Sequence, residues 1–196
     1  MNPEVCLGGL WIAWLLVWLV AAAFTARTIA HQSGLSRLAH SLPVWAGAVL
    51  LLSHDRSSGS LFRALLPPRA WIAWLGVVVT ALGLGFAGWA RAHLGRFWSG
   101  TVTLKAEHAI VRTGPYALTR HPIYTGLFVA LAGTALTRDT IAGALGAALI
   151  LLGFLFKIGQ EERLLIGHFG AAYRTYQEEV PRLIPRLPLP GRAPRE

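Results

Sequence analysis

The sequence predicts an all-α membrane protein of about five transmembrane helices, and three observations carry that expectation. Charge is scarce: 14% of the 196 residues are charged while 54% are hydrophobic, where a soluble domain carries roughly 25% charged residues. The apolar residues are clumped into long runs, and residues 5–26 and 70–90 contain no charge at all. At about 1.5 Å per helical residue each run reaches roughly 31–33 Å, enough for a hydrocarbon core of about 30 Å. Finally, the basic residues fall unequally into the segments between runs, as topogenic charge does.

The first span is residues 5–26. Its leading residues hold no Lys or Arg and include Glu4, which is the wrong start for a cleaved signal, so the run reads as a retained helix. The second, residues 41–53, is short; Pro43 suits a first helical turn, and extension back through Leu35 would bring the span to full length. The third is 70–90. The fourth, 122–137, and fifth, 140–156, are joined by Arg138-Asp139, the polar turn of a helical hairpin. With five spans, one side collects Arg27, Arg37, Arg91, Arg96, Lys105, Arg112, Arg120, Lys157, Arg163 and the basic residues of the tail. The other side holds only Arg56, Arg63, Arg69 and Arg138. The positive-inside rule then puts the N-terminus outside and the polar segment 91–121 and the C-terminus in the cytoplasm. The repeated Trp-Ile-Ala-Trp-Leu at 11–15 and 71–75 fits an interfacial tryptophan belt where two spans enter from the outer side. Ala81, Gly85, Gly88 and Trp89 on the third span, and Gly143, Ala144, Ala147 and Ala148 on the fifth, are the expected close-packing faces.

The formal net charge of +9 does not indicate nucleic-acid binding, because the cations are spread between spans with no binding motif. A single cysteine, Cys6, excludes an intrachain disulfide. The histidines lack paired metal-ligand spacing, so no metal site is expected. By polarity the chain divides into transmembrane helices at 1–90, a core at 91–185 that includes the hairpin and an amphipathic segment, and a flexible tail at 186–196, loosely ordered from Pro181 onward.

Two polar clusters carry the chemistry. Gly114-Pro115-Tyr116 is followed by Arg120-His121-Pro122-Ile123-Tyr124-Thr125-Gly126. Pro122 suits the first helical position, which makes His121 the N-cap and leaves free amides beside Arg120 and His121, a ready anion site. The second cluster follows Phe156: Lys157, Gln160, Glu161 and Glu162, with Lys157 and Glu161 four apart on one helical face. Because the hairpin makes its two helices antiparallel, both clusters belong at the same cytoplasmic end. After them Leu165, Phe169, Ala172, Tyr173 and Tyr176 recur at helical spacing, as in a segment lying on the membrane or capping the site.

Over roughly residues 83–185 these motifs, with His168-Phe169-Gly170, resemble the isoprenylcysteine carboxyl methyltransferase family. The resemblance implies S-adenosylmethionine as cofactor, lined by His108, Ala109, Ile110, Val111, Tyr116, His121, Pro122, Ile123 and Tyr124, with Glu161 at a cofactor-binding position. Lys157 stands where the eukaryotic enzymes have a substrate-binding arginine, and keeps the charge without the bidentate fork. Thr101 stands where they offer a glutamine. The cofactor's own groups agree: Glu161 or Glu162 suits its ammonium or hydroxyls, Arg120 or His121 its carboxylate, and Tyr116 or Tyr124 its sulfonium. Methyl transfer to an ionised carboxylate needs no general base, so no acid/base catalytic residue is expected. The acceptor the resemblance implies is a lipophilic isoprenylcysteine-like acid. Relatives acting on phospholipids or small thiols would change the acceptor alone. An NADPH-dependent sterol reductase, sharing an Arg-x-Pro-x-Tyr stretch, and a structural or transport membrane protein are the more distant readings.

Overall fold

The computed structural model describes residues 2–24, 28–31, 34–53, 59–67, 69–95, 98, 103–105 and 110–186. Five helices run back and forth: α1 (Pro3–Ala22), α2 (Gly34–Leu52), α3 (Ala70–Leu94), α5 (Pro122–Arg138) and α6 (Ile141–Phe169). The short α4 (Pro115–Leu118) precedes α5, and α7 (Ala171–Glu179) follows α6. The architecture is all-helical apart from a two-stranded antiparallel ladder, β1 (Thr28–His31) with β2 (Thr103–Lys105). Among the described residues α1, α3 and α6 are long and apolar enough to cross a membrane, and α2 holds a shorter apolar stretch, His40–Leu52.

Contacts at the two ends fix the alternation. At one end Arg138 pairs with Glu4 at 3.6 Å, and Leu65 and Leu66 donate backbone amides to Asp139. At the other, the Arg91 guanidinium caps the ends of two helices, donating to Ala21 O at 2.7 Å and Gly95 O at 2.8 Å. It lies 4.6 Å from the Trp98 ring and 5.9 Å from that of Trp18, a packing that suits a desolvated cation. The β1–β2 ladder ties the segments after α1 and after α3 together at this same end.

The hairpin turn forms where Arg138-Asp139 predicts it. Asp139 takes the left-handed conformation (φ 49°), and the Thr140 side chain caps α6 by accepting from the Gly143 amide at 3.0 Å. Aspartate is one of the few residues that tolerates this geometry.

The close-packing faces differ from those expected. On α3 it is Gly76, Thr80, Gly83 and Ala87 that are buried, while Ala81 and Gly85 are exposed and a Cβ added at Gly85 or Gly88 would meet open space. They meet Gly126, Ala130, Gly133 and Thr137 of α5. A Cβ on Gly83 would lie 2.4 Å from Ala130 N, and one on Gly126 2.5 Å from Gly83 O. On α6 the seam is Gly143, Gly146, Ala147, Ile150 and Gly153; Gly146 and Gly153 meet α2, while Ala144 and Ala148 face outward. Such backbone approach is the usual basis of helix association in lipid, where no hydrophobic drive operates between helices.

Three further expectations are corrected. Helix α2 begins at Gly34, so Pro43 lies in its interior rather than in its first turn. Trp11 is not interfacial: it packs inside the bundle and donates from Nε1 to Thr134 Oγ1 at 3.0 Å, whereas Trp71, at the start of α3, is exposed. Helix α6 does not end near Phe156 but continues unbroken for 29 residues, about 43 Å at the standard rise. The polar residues from Lys157 to Glu162 lie within its C-terminal half rather than in a new element.

Candidate active site

The site lies where the start of α5 meets the extension of α6. Pro122 is the first residue of α5 and His121 its N-cap, as the Pro-preceding position predicts. The imidazole does not cap the helix, however; it turns to α6. His121 Nε2 lies 3.1 Å from Glu162 Oε1 and Nδ1 lies 3.9 Å from Glu161 Oε2. One turn inside α5, the Tyr124 hydroxyl donates to Glu161 Oε1 at 2.7 Å. Lys157 Nζ lies 4.0 Å from that same oxygen and 5.7 Å from the centre of the Tyr124 ring. The two clusters, separated in sequence by a whole hairpin, thus share hydrogen bonds.

The adjacent carboxylates are held differently. Glu162 is buried and receives Arg120 (Nε at 3.0 Å, Nη2 at 2.9 Å) and His121 on Oε1, while Arg182 Nε stands 3.2 Å from its other oxygen as an ion pair without hydrogen-bond alignment. Arg120 in turn donates from Nη1 to the backbone carbonyls of Gln177 and Val180 at 2.9 and 2.5 Å. Its five N–H groups make it the fork that joins α6 to the end of α7. Glu161 is more exposed, with Tyr124 as its one short side-chain partner among the contacts resolved. The anion site expected at Arg120 and His121 is therefore largely filled by the protein's own Glu162.

Helix α7 roofs this region. Gly170, at φ 56°, turns the chain sharply between α6 and α7, a conformation that glycine adopts freely. Tyr173 and Tyr176 point inward and are each 3% exposed; Tyr176 donates to Tyr116 O at 2.6 Å. Burial pushes the phenols of Tyr116, Tyr173 and Tyr176 well above their ordinary pKa, so they remain neutral donors. Arg112 fastens α7 further, donating to Ala172 O at 2.7 Å and pairing with Glu179 at 3.4 Å. The amphipathic spacing of this segment thus buries tyrosines against the protein.

Of the residues singled out from sequence, Tyr116, Arg120, His121, Pro122, Ile123, Tyr124, Lys157, Glu161 and Glu162 gather here; Ile110 and Val111 are half-buried on the strand of chain leading to α4. His108, Ala109 and Thr101 lie outside the described residues. Sequence reading missed His93, whose Nε2 lies 2.8 Å from Thr113 Oγ1 and whose ring fills the space beside Gly114. Gly114 has φ 57° and a Cβ there would meet that ring at 2.7 Å, which is why the Gly-Pro-Tyr turn needs its glycine. It also missed Arg182, which was assigned to a loose tail. That expectation is corrected: residues 181–186 are bonded along residues 118–125.

A protein-S-isoprenylcysteine O-methyltransferase from Schizosaccharomyces pombe is 31% identical over 148 residues, covering 70% of this chain and 63% of that protein. The chain thus spans less than two thirds of that relative's length. The cobalt-zinc-cadmium resistance protein CzcN of Cupriavidus metallidurans is 29% identical, covering 81% of this chain and 73% of the relative. A methanethiol S-methyltransferase from a Pseudomonas species is 25% identical, covering 94% of this chain and 79% of its own. Residues 74–167, which run from α3 through the paired glutamates, match the isoprenylcysteine carboxyl methyltransferase (ICMT) family, and through that segment the chain belongs to it.

Proposed function

We propose that this protein is an integral membrane methyltransferase that uses S-adenosylmethionine, with five spans (α1, α2, α3, α5 and α6), its N-terminus outside and its site and C-terminus cytoplasmic. The observation that carries the reading is the 2.7 Å bond from Tyr124 to Glu161, with Lys157 beside it. It joins a helix start, an aromatic face and an incompletely paired carboxylate at one end of a hydrophobic bundle.

The donor chemistry fits the cofactor. Glu161 would hold its ammonium or ribose hydroxyls, Tyr124 and Tyr116 would pack near its cationic centre, and the first turn of α5, with Pro122 and Ile123, would meet its carboxylate end. Residues 108–111 would line it. When bound, S-adenosylmethionine supplies an electrophilic methyl group. The protein's part is to align the acceptor and exclude water, which fits the buried surroundings of His121 and the tyrosine roof of α7. Arg120 and Glu162 take a supporting role, because they are bonded to each other and to backbone.

The acceptor we favour is the carboxylate of an isoprenylcysteine-like lipophile, met by Lys157. A cation at the membrane boundary recognises an anion and no neutral thiol, and the Schizosaccharomyces pombe relative bears that activity in its name. A small thiol is the second reading, favoured by the near full-length match to the Pseudomonas methanethiol S-methyltransferase. The test is purified protein in detergent with labelled S-adenosylmethionine and NADPH in parallel, followed by methyl incorporation into farnesylcysteine analogues, phospholipids and thiols. Saturable binding of NADPH alone would overturn the proposal; methylation of thiols alone would exchange the acceptor.

A further inference from the structure

The chain beyond α7 is tied to the residues that flank the site. The Arg120 amide donates to Pro181 O at 2.9 Å, the His121 amide to Arg182 O at 3.2 Å, and the Arg186 amide to Leu118 O at 3.1 Å. Side chains repeat the pattern: Thr119 donates to Arg182 O at 2.9 Å and Thr125 to Leu183 O at 2.7 Å. These partners bracket the N-cap of α5. With prolines at 181 and 185 the segment has fewer conformations to lose, so docking it costs less conformational entropy than ordering a flexible tail.

We propose that residues 181–186 form a strap that positions the cofactor site, and that Arg182 is its positioning residue, acting through Glu162 on His121. The proposal rests on the methyl-donor reading above. Arg182 approaches Glu162 Oε2, while Oε1 of the same carboxylate faces His121 and Arg120. Hydrogen bonds on Oε1 and a cation beside Oε2 together favour one orientation of the carboxylate. Through Oε1 it meets His121 Nε2 at 3.1 Å, which sets the plane of the imidazole and leaves Nδ1 3.9 Å from Glu161 Oε2. Without Arg182, Oε2 of Glu162 loses its cation, and the carboxylate and the imidazole bonded to it are less firmly oriented beside Glu161. The strap is thus a supporting shell for the cofactor-binding carboxylate, reached from the far end of the chain.

The experiment is titration of the full-length protein in detergent with S-adenosylhomocysteine, alongside its melting temperature. Arg182→Met should weaken binding about tenfold with little change in melting, Arg182→Lys should recover most of it, and Arg182→Met should add nothing in a Glu162→Gln background. Thr125→Val, which loosens the strap without touching a charge, should weaken binding in the same direction. Unchanged affinity in both Arg182→Met and Thr125→Val, or fully additive losses in the cycle, would overturn the strap. Absence of binding by the unaltered protein would instead remove the methyl-donor reading itself.

Discussion

The α3–α5 seam and the mouth of the α5–α6 hairpin are built from the same helix by opposite means. Along the seam, Gly126, Ala130, Gly133 and Thr137 bring α5 against α3 with almost no side chain between the backbones. One to two turns earlier in the same helix, His121 and Tyr124 reach across to α6 through charged and hydroxyl groups. The seam holds by fit, and its tolerance to added atoms is close to nil. The mouth holds by pairing, and there the two neighbouring glutamates differ: Glu162 is ringed by Arg120, His121 and Arg182, whereas Glu161 is bonded by Tyr124. The difference separates rigidity from function between the two faces that α5 presents: substitutions in the α3 seam should cost stability first, and those at Glu161 of α6 should cost ligand binding first.

That comparison can be broken in several ways. Gly83→Val should have the largest effect, lowering stability by about 3 kcal/mol or more because its Cβ has no space; an unchanged melting temperature in detergent would end the account of the seam. Glu162→Ala should follow, since it strands Arg120 and Arg182 and costs roughly 2–3 kcal/mol in stability together with cofactor affinity. Glu161→Gln should leave melting nearly unchanged while weakening S-adenosylmethionine binding roughly ten- to hundredfold; equal losses in stability at both glutamates would erase the distinction. Trp11→Phe removes the bond to Thr134 and should cost about 1 kcal/mol in unfolding experiments. Glu4→Gln, at the partly exposed pair with Arg138, should change stability by about 0.5 kcal/mol or less.

What could be read from the sequence divides along local and long-range lines. The hairpin turn was legible because Arg138-Asp139 interrupts two apolar runs, and the His121 N-cap because Pro122 permits little else. Lys157 and Glu161 were legible as one face because their spacing is a turn of helix. The seam was not: α3 offers Gly76, Gly83, Gly85 and Gly88, and which of them face a partner depends on a rotation about the helix axis that apolar sequence on every side does not specify. The same limit hid the inward turn of Trp11. The unbroken course of α6 was obscured because polarity changes at Lys157 while helix propensity does not. The strap was hidden because Pro and Arg residues read as loose tail, and nothing local reveals carbonyls accepting from residues some sixty positions earlier.

The continuity of α6 also sets a rule for what evolution or an engineer can do to it. Gly146, seated against α2, and Glu161, seated against Tyr124, belong to one rod without a break. Each residue advances the azimuth by about 100°, so a single inserted or deleted residue anywhere between them would swing the carboxylate away by that angle while leaving the seam intact. Length changes in this stretch are tolerable only near whole numbers of turns, and the helix acts as a ruler whose phase, more than its length, keeps anchor and site in agreement.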